Sequence, residues 1–404
     1  MKSVLINLKT KQKPEVNIVA LFDFVKKDNE PGIAKRLTWA KGAILPTIED
    51  FGEPNMGDPQ TLSNLILYAQ NTFSTDHYLL QIFDHGKATE GIAWDKSHKN
   101  QFIKPTELKE VLAIAQEKIN IVFYDAGLMG MLEGAYEIKD YADFMISSEN
   151  LSYPVDKFWE YTQKGKGNPT PKDLGKKISK LYFNYIKSNN NSTAVSLIDL
   201  SKIAEIADKF NKLIEILNSY RPYPDSQELW NFLDEVWKKT QKLNSNYSEE
   251  IDECDSYLDF FDFVYQIFSN TEQKNIKSAA KEILNLKRFA FFGKHSSTKN
   301  CPYFCDKLKK TNGLSLYFPQ SIQELDTDNR IFNYSDFSFS QNTYWDEMLY
   351  DYLWSKEVDL KQIPPMMNNP YCDHTQNDCN CDGTINLQDL ICKISQFFKK
   401  EPKL

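Results

Sequence analysis

Two short stretches carry residue types that could do chemistry together. The first is Asp84-His85-Gly86, directly after the apolar run YLLQIF (78–83). Of the five histidines, only His85 both follows a clear apolar run and precedes a glycine. An imidazole there can exchange protons near neutral pH, although a histidine in such a place also serves structure. The second stretch is YDAGLMG (124–130), directly after INIVF. Asp125 is either a turn or helix-capping aspartate or a pocket carboxylate that pairs with a cationic side chain. Gly127 stands where a sharp turn would present one side chain at a strand's end, and it has none.

A third stretch, DCNCDGTINLQD (378–389), has the spacing of a calcium loop. Asp378, Asn380 and Asp382 stand at positions one, three and five, with Gly383 at the sharp turn. Thr384, Asn386 and Asp389 complete the candidate ligands, so that oxygens at alternate positions wrap one hard cation. An Asn/Asp-rich loop without metal is the alternative. Cys372, Cys379, Cys381 and Cys392 crowd the same end, as disulfides of a small module in an oxidising compartment would. Zinc held by Cys372, His374, Cys379 and Cys381 is a minor reading, because the spacing matches no usual zinc pattern.

Elements must position these groups. VNIVALF (16–22), YLLQIF, INIVFY (119–124), ADFMIS (142–147) and AVSLIDL (194–200) are continuous apolar runs, as strands covered on both faces require. Helical spacing falls between them. One helix starts at Asp58-Pro59, one follows Pro105, one contains Met131–Tyr136 and one lies near 172–187. The alternation predicts an α/β fold with a mostly parallel sheet flanked by helices, and sites at the carboxyl ends of the strands. Residues 201–361 read as a helical part with a late strand at 312–319 and a final amphipathic helix at 344–354; 362–370 reads as a linker.

The totals bound the function. In 404 residues, 41% hydrophobic content suffices for a large core, and a net charge of −8 gives no general reason to expect nucleic acid. No run is long enough for a membrane span. The opening residues do not form a signal peptide, so the protein is cytosolic or its true amino terminus lies further upstream.

VNIVALFD, EPNMGDPQTL, HYLLQIFDHG, GIAWD, VFYDAGLMG, DFMISSE and TAVSLIDLS follow in the order, and near the spacing, of the clostripain-like cysteine peptidases. The resemblance covers roughly 16–350 and implies a caspase-like fold. It makes His85 the dyad histidine and gives Gly127 the place of the catalytic cysteine. Asp125 would line a pocket for arginine or lysine at the cleavage position, with Ser148 and Glu149 as further substrate-binding residues. Backbone N–H groups near Gly86 and Gly127 would hold the oxyanion. Glycine forms no thioester, so the chain as written is expected to be inactive. It is then either a nucleophile-replaced peptidase or a pseudopeptidase that binds basic peptides. The loop HGKATEG after His85 departs from the family's Gly-rich loop, and the segment after Glu149 lacks its Gly-Trp-Pro-Tyr pattern. The family's first strand normally precedes VNIVALFD, which is the expectation behind a truncated amino terminus. QKGKGNP (163–169) is either an internal processing site or a solvated loop. Residues 371–404 resemble half of a dockerin, an EF-hand-like tail that implies calcium, a cohesin-type partner and an extracellular setting.

Overall fold

The computed structural model describes residues 14–23, 32–153, 155, 160, 169–220, 227–245, 251, 255–297, 301, 305–325 and 333–357. The candidate calcium loop, the linker, the terminal cysteines, Cys254 and all but the last residue of 163–169 lie outside them.

The run VNIVALF does form a strand, β1 (Ile18–Phe22), but it does not enter the central sheet. It pairs antiparallel with β2 (Lys35–Trp39), which pairs with β3 (Thr47–Asp50). Ile18, Leu37 and Trp39 give this sheet its own small apolar cluster. Helix α1 (Pro59–Thr72) starts as its sequence dictates: Asp58 accepts from the Gln60 N–H at 2.9 Å, and Pro59 needs no N–H partner in the first turn. Strand β4 (Leu79–Phe83), the hairpin β5 (Ile92–Asp95) and β6 (Gln101–Ile103), and α2 (Pro105–Ala113) follow. Then come β7 (Ile119–Asp125), α3 (Leu132–Ile138), β8 (Ala142–Ser148), α4 (Pro171–Ser188) and β9 (Thr193–Asp199).

Past β9 run the helices α5 (Ile203–Ser219) and α6 (Gln227–Lys239). Strands β10 (Lys242–Leu243) and β11 (Tyr257–Asp259) lead into α7 (Phe260–Asn270) and α8 (Lys274–Leu284). Strand β12 (Phe291–His295), β13 (Ser315–Tyr317) and a last long helix (Trp345–Glu357) complete the main elements.

The central sheet has the order β12-β9-β8-β7-β4. β4, β7 and β8 run parallel, as expected; β9 alone is reversed, pairing antiparallel with both β8 and β12, so the sheet is mixed with four of its five strands pointing one way. Alternate residues of β7 serve opposite faces. Ile121 and Phe123 pack with Tyr182 of α4, while Val122 and Tyr124 belong to the large core on the other side. That core continues without a break into the aromatic C-terminal part, where Phe210, Phe260, Phe318, Trp345 and Tyr352 are almost wholly buried. Each such side chain contributes on the order of 1.5–3 kcal/mol by leaving water.

Two buried carboxylates of α3 bind this later half to the sheet. Glu133 accepts from the Tyr317 N–H at 2.8 Å and the Tyr334 hydroxyl at 2.7 Å. Glu137 accepts from the Ser338 hydroxyl at 2.9 Å and lies 3.5 Å from the Lys109 ammonium. Helix α3, which follows the β7 loop, is therefore tied to the C-terminal part by fixed polar contacts.

Candidate functional site

Parallel pairing of β4 with β7 sets Phe83 beside Asp125. Asp84-His85-Gly86 and Ala126-Gly127 therefore leave the sheet side by side. Their closeness is visible at Gly86, where a Cβ would lie 2.3 Å from the Gly127 carbonyl oxygen and 2.8 Å from Met129 Cγ. Only glycine permits that approach. His85 is exposed at the rim. Burial holds the neighbouring Asp84 carboxyl above its ordinary range.

Gly127 is not beside open space. A Cβ there would meet the Ser152 backbone N at 2.8 Å, Leu151 Cα at 3.2 Å and Leu151 C at 3.4 Å. The segment after β8 lies along the loop after β7: the Leu128 N–H donates to the Asn150 carbonyl at 3.1 Å and the Gly130 N–H to the Ser148 carbonyl at 2.9 Å. Leu128 is held at φ +65°, a left-handed conformation that costs a non-glycine residue about 1–2 kcal/mol.

Asp125 is 1% exposed, on the α4 face of the sheet. Gln81 Nε2 donates to its Oδ2 at 3.0 Å. The Tyr182 hydroxyl and the Val155 N–H also face the carboxyl, and Tyr182 is hydrogen-bonded to the Ser152 hydroxyl. Oδ1 is enclosed and has no hydrogen-bond partner. Burial raises the carboxyl to about 8, against the pull of Gln81, Tyr182 and Val155.

Ser148 and Glu149, both read from sequence as substrate-binding residues, are fully buried and part ways. Carrying the Phe123–Ile146 register on by two residues sets Ser148 next to Asp125; its hydroxyl donates to the Asn150 carbonyl at 2.9 Å. Glu149 turns toward the C-terminal half. It accepts from the Gly313 N–H at 2.9 Å and faces Asp259, whose own carboxyl caps α7 by accepting from the Asp262 N–H at 2.6 Å. Burial and the Asp259 charge push the Glu149 carboxyl well above the carboxylate range. The Phe83–Asp125 pairing and the Gly86–Gly127 approach thus bring the DHG and DAG strand ends side by side, with Ser148 and Glu149 both buried.

Three residues around Asp125 were missed from sequence. Gln81 had a signal, being the one polar residue inside YLLQIF. Tyr182 and Ser152 had none. The loop HGKATEG holds a non-glycine residue in the left-handed region, Ala88 at φ +49°. The Thr89 N–H donates to the Tyr257 hydroxyl at 3.1 Å, anchoring that loop to β11. The aspartate of GIAWD, Asp95, is a turn anchor. It accepts from the Ser97 hydroxyl at 2.6 Å, the Met56 N–H at 2.8 Å and His98 Nδ1 at 2.9 Å. Burial pushes its carboxyl up, but these bonds win and hold it below the usual range.

Among the described residues, no three His, Cys, Asp or Glu side chains are grouped to hold a metal. No described helix is long and apolar enough to cross a membrane.

The fold is similar to solved structures. An inactive zymogen C11 protease from Parabacteroides distasonis aligns with a TM-score of 0.58 at 16% identity, covering 85% of this chain and 93% of that one. A secreted C11 cysteine protease from Bacteroides thetaiotaomicron, iotapain, aligns with a TM-score of 0.58 at 14% identity, covering 84% and 91%. The B. thetaiotaomicron enzyme in complex with an irreversible peptide inhibitor gives a TM-score of 0.57 at 14% identity, covering 87% and 94%. No curated protein matches the sequence. The sequence model described as the Clostripain family matches residues 5–354, most of the chain. With the mixed sheet and the DHG and DAG strand ends in place, the chain belongs to the clostripain (C11) family of cysteine peptidases.

Proposed function

We propose that this chain is a pseudopeptidase that binds peptides through one basic side chain at Asp125 and does not cleave them. The observation that carries the proposal is the pairing of two neighbours. Asp125 offers an enclosed carboxyl oxygen without a partner, and two residues later the Cβ place of Gly127 is filled by the Ser152 backbone. A cation is what such an oxygen lacks. A thioester needs sulfur where this chain has glycine, so His85 has no thiol to deprotonate.

Binding of peptides ending in arginine or lysine amide, measured by isothermal titration calorimetry and lost in Asp125→Asn, tests the reading. Binding that survives that substitution refutes it. The nucleophile-replaced peptidase remains the second reading, favoured by the intimate Gly86–Gly127 approach. Turnover of an Arg- or Lys-containing reporter by Gly127→Cys, abolished by a further His85→Ala, would establish it.

The spacing of residues 378–389 supports a separate proposal, that this loop binds calcium and that the tail docks to a cohesin-type partner outside the cell. Calorimetric titration of the chelator-stripped full chain with Ca2+ tests the first part. Heat that is unchanged by Asp378→Ala with Asp382→Ala would sink it.

A further inference from the structure

Resting on the basic-peptide reading, we infer that the Asp125 pocket selects lysine over arginine, and that Gln81, Tyr182 and Ser152 make the selection. The argument starts from which carboxylate edges are open. A guanidinium is recognised best as a planar fork that uses both carboxylate oxygens, whereas an ammonium is a compact charge that needs one strong acceptor plus further oxygens around it. At Asp125 the two oxygens are not equivalent. Gln81 Nε2 occupies Oδ2 at 3.0 Å, and only Oδ1 has no hydrogen-bond partner. With the Tyr182 hydroxyl and the Val155 N–H also turned to this carboxyl, an entering group finds at most one open acceptor where the fork asks for two.

The remaining surroundings suit an ammonium. Its three N–H groups need three acceptors. Oδ1 is one; the hydroxyl oxygens of Tyr182, which faces the carboxyl, and of Ser152, bonded to Tyr182, supply the others. The geometry of Gln81 is fixed rather than adaptable. It stands on β4 with its neighbour Ile82 paired to Tyr124, so its amide reaches the carboxyl from an adjacent strand. Enclosure points the same way. Asp125 is 1% exposed, and a slim alkyl chain with a small head enters a closed polar pocket at less cost than a broad planar group. Lysine can also give up its proton in a dry site, which arginine cannot, and this suits a carboxyl that burial already holds high.

The test uses the full chain and three peptides that differ only in the last side chain: lysine amide, arginine amide and norleucine amide. Calorimetry should show lysine binding at least about tenfold tighter than arginine, a gap of about 1.4 kcal/mol. Gln81→Leu frees Oδ2 and should narrow or invert that ratio, while Tyr182→Phe should weaken lysine more than arginine. Arginine binding as tightly as lysine in the native chain overturns this inference and leaves the basic-peptide reading standing. Lysine and arginine both binding no better than norleucine overturns the two together. A ratio that Gln81→Leu leaves unchanged, with the variant's circular dichroism native, also overturns the role given to Gln81.

Discussion

Gly127→Ala isolates the physical meaning of the glycine. Where the backbone permits it, Gly→Ala stabilises by about 0.4–1 kcal/mol, because the unfolded chain loses freedom. Gly127 is not in the left-handed region, so that benefit is available in principle. Against it stands the added methyl, 2.8 Å from the Ser152 N and 3.2 Å from Leu151 Cα. Both neighbours are backbone, tied to the β7 loop by the Leu128–Asn150 and Gly130–Ser148 bonds, and cannot rotate aside as a side chain would. Overpacking of this kind costs about 1–3 kcal/mol, so the net sign is destabilising. With about 2.1 cal/mol/K of unfolding entropy per residue over roughly 350 residues, the midpoint should fall by about 1–4 °C. Gly134→Ala is the control. In α3 its methyl meets only the flexible Met131 side chain, at 3.0 Å, and helix propensity favours alanine by about 1 kcal/mol. Differential scanning calorimetry should therefore move the two midpoints in opposite directions. A Gly127→Ala protein stabilised like Gly134→Ala would refute the packing of Ser152 against Gly127.

The same reasoning makes Gly86→Ala more damaging. Its methyl would sit 2.3 Å from the Gly127 carbonyl oxygen, so thermal scans should show a larger loss than Gly127→Ala, and an equal or smaller one would count against the close approach. Asp125 predicts a pH signature. Its folded carboxyl titrates at about 8, against about 3.9 in an unfolded chain. A raised folded value means the stabilising contribution is complete below about pH 4, declines by about 1.4 kcal/mol per pH unit above that, and is lost by about pH 8. Urea unfolding of the native chain and Asp125→Asn should give a stability difference that shifts steadily toward the variant across that window; a pH-independent difference would sink the assignment. At Glu149, the Glu149→Gln change keeps an acceptor for the Gly313 N–H and should be tolerated, whereas Glu149→Ala leaves that buried N–H without its partner and should cost about 1–3 kcal/mol by the same unfolding assay.

What could be read in advance follows a physical division. α1 was legible because Asp58 and Pro59 are capping chemistry, which is local. β7, β8 and β9 were legible as strands because both their faces are buried and the runs are continuously apolar; β4, at the sheet edge with Leu79 and Phe83 exposed, was legible from its apolar run alone. The direction of β9 was not, since an apolar run looks the same from either end. The sheet that β1 joins was equally hidden, because its partner β2, KRLTW, alternates too briefly to stand out. Helix α7, FFDFVYQIFSN, buries seven of its eleven residues, Asp262 and Gln266 among them, so its polar residues do not mark a solvent face. At the site, the meeting of His85-Gly86 with Gly127 was readable from two strand ends. Tyr182 and Ser152 were not, because they reach Asp125 from other elements through burial, which leaves no local mark.

The glycine and the covered carboxylate turn out to be one packing arrangement. Ser152 places its backbone against Gly127 and its hydroxyl against Tyr182, whose own hydroxyl faces Asp125. Any side chain at 127 must push Ser152 away, and that same displacement begins to uncover Asp125. A ligand entering the native pocket has to meet the cost of this opening from its own binding energy, whereas in Gly127→Ala the methyl has already met it. By linkage, the substitution that destabilises the fold by about 1–3 kcal/mol should tighten binding of the arginine peptide, which draws nothing from the Ser152 hydroxyl, by up to a similar amount, roughly five- to a hundredfold. Calorimetric titration of the two proteins with one peptide measures both sides of that cycle. Equal affinities would mean that Ser152 fills the space at Gly127 without controlling access to Asp125.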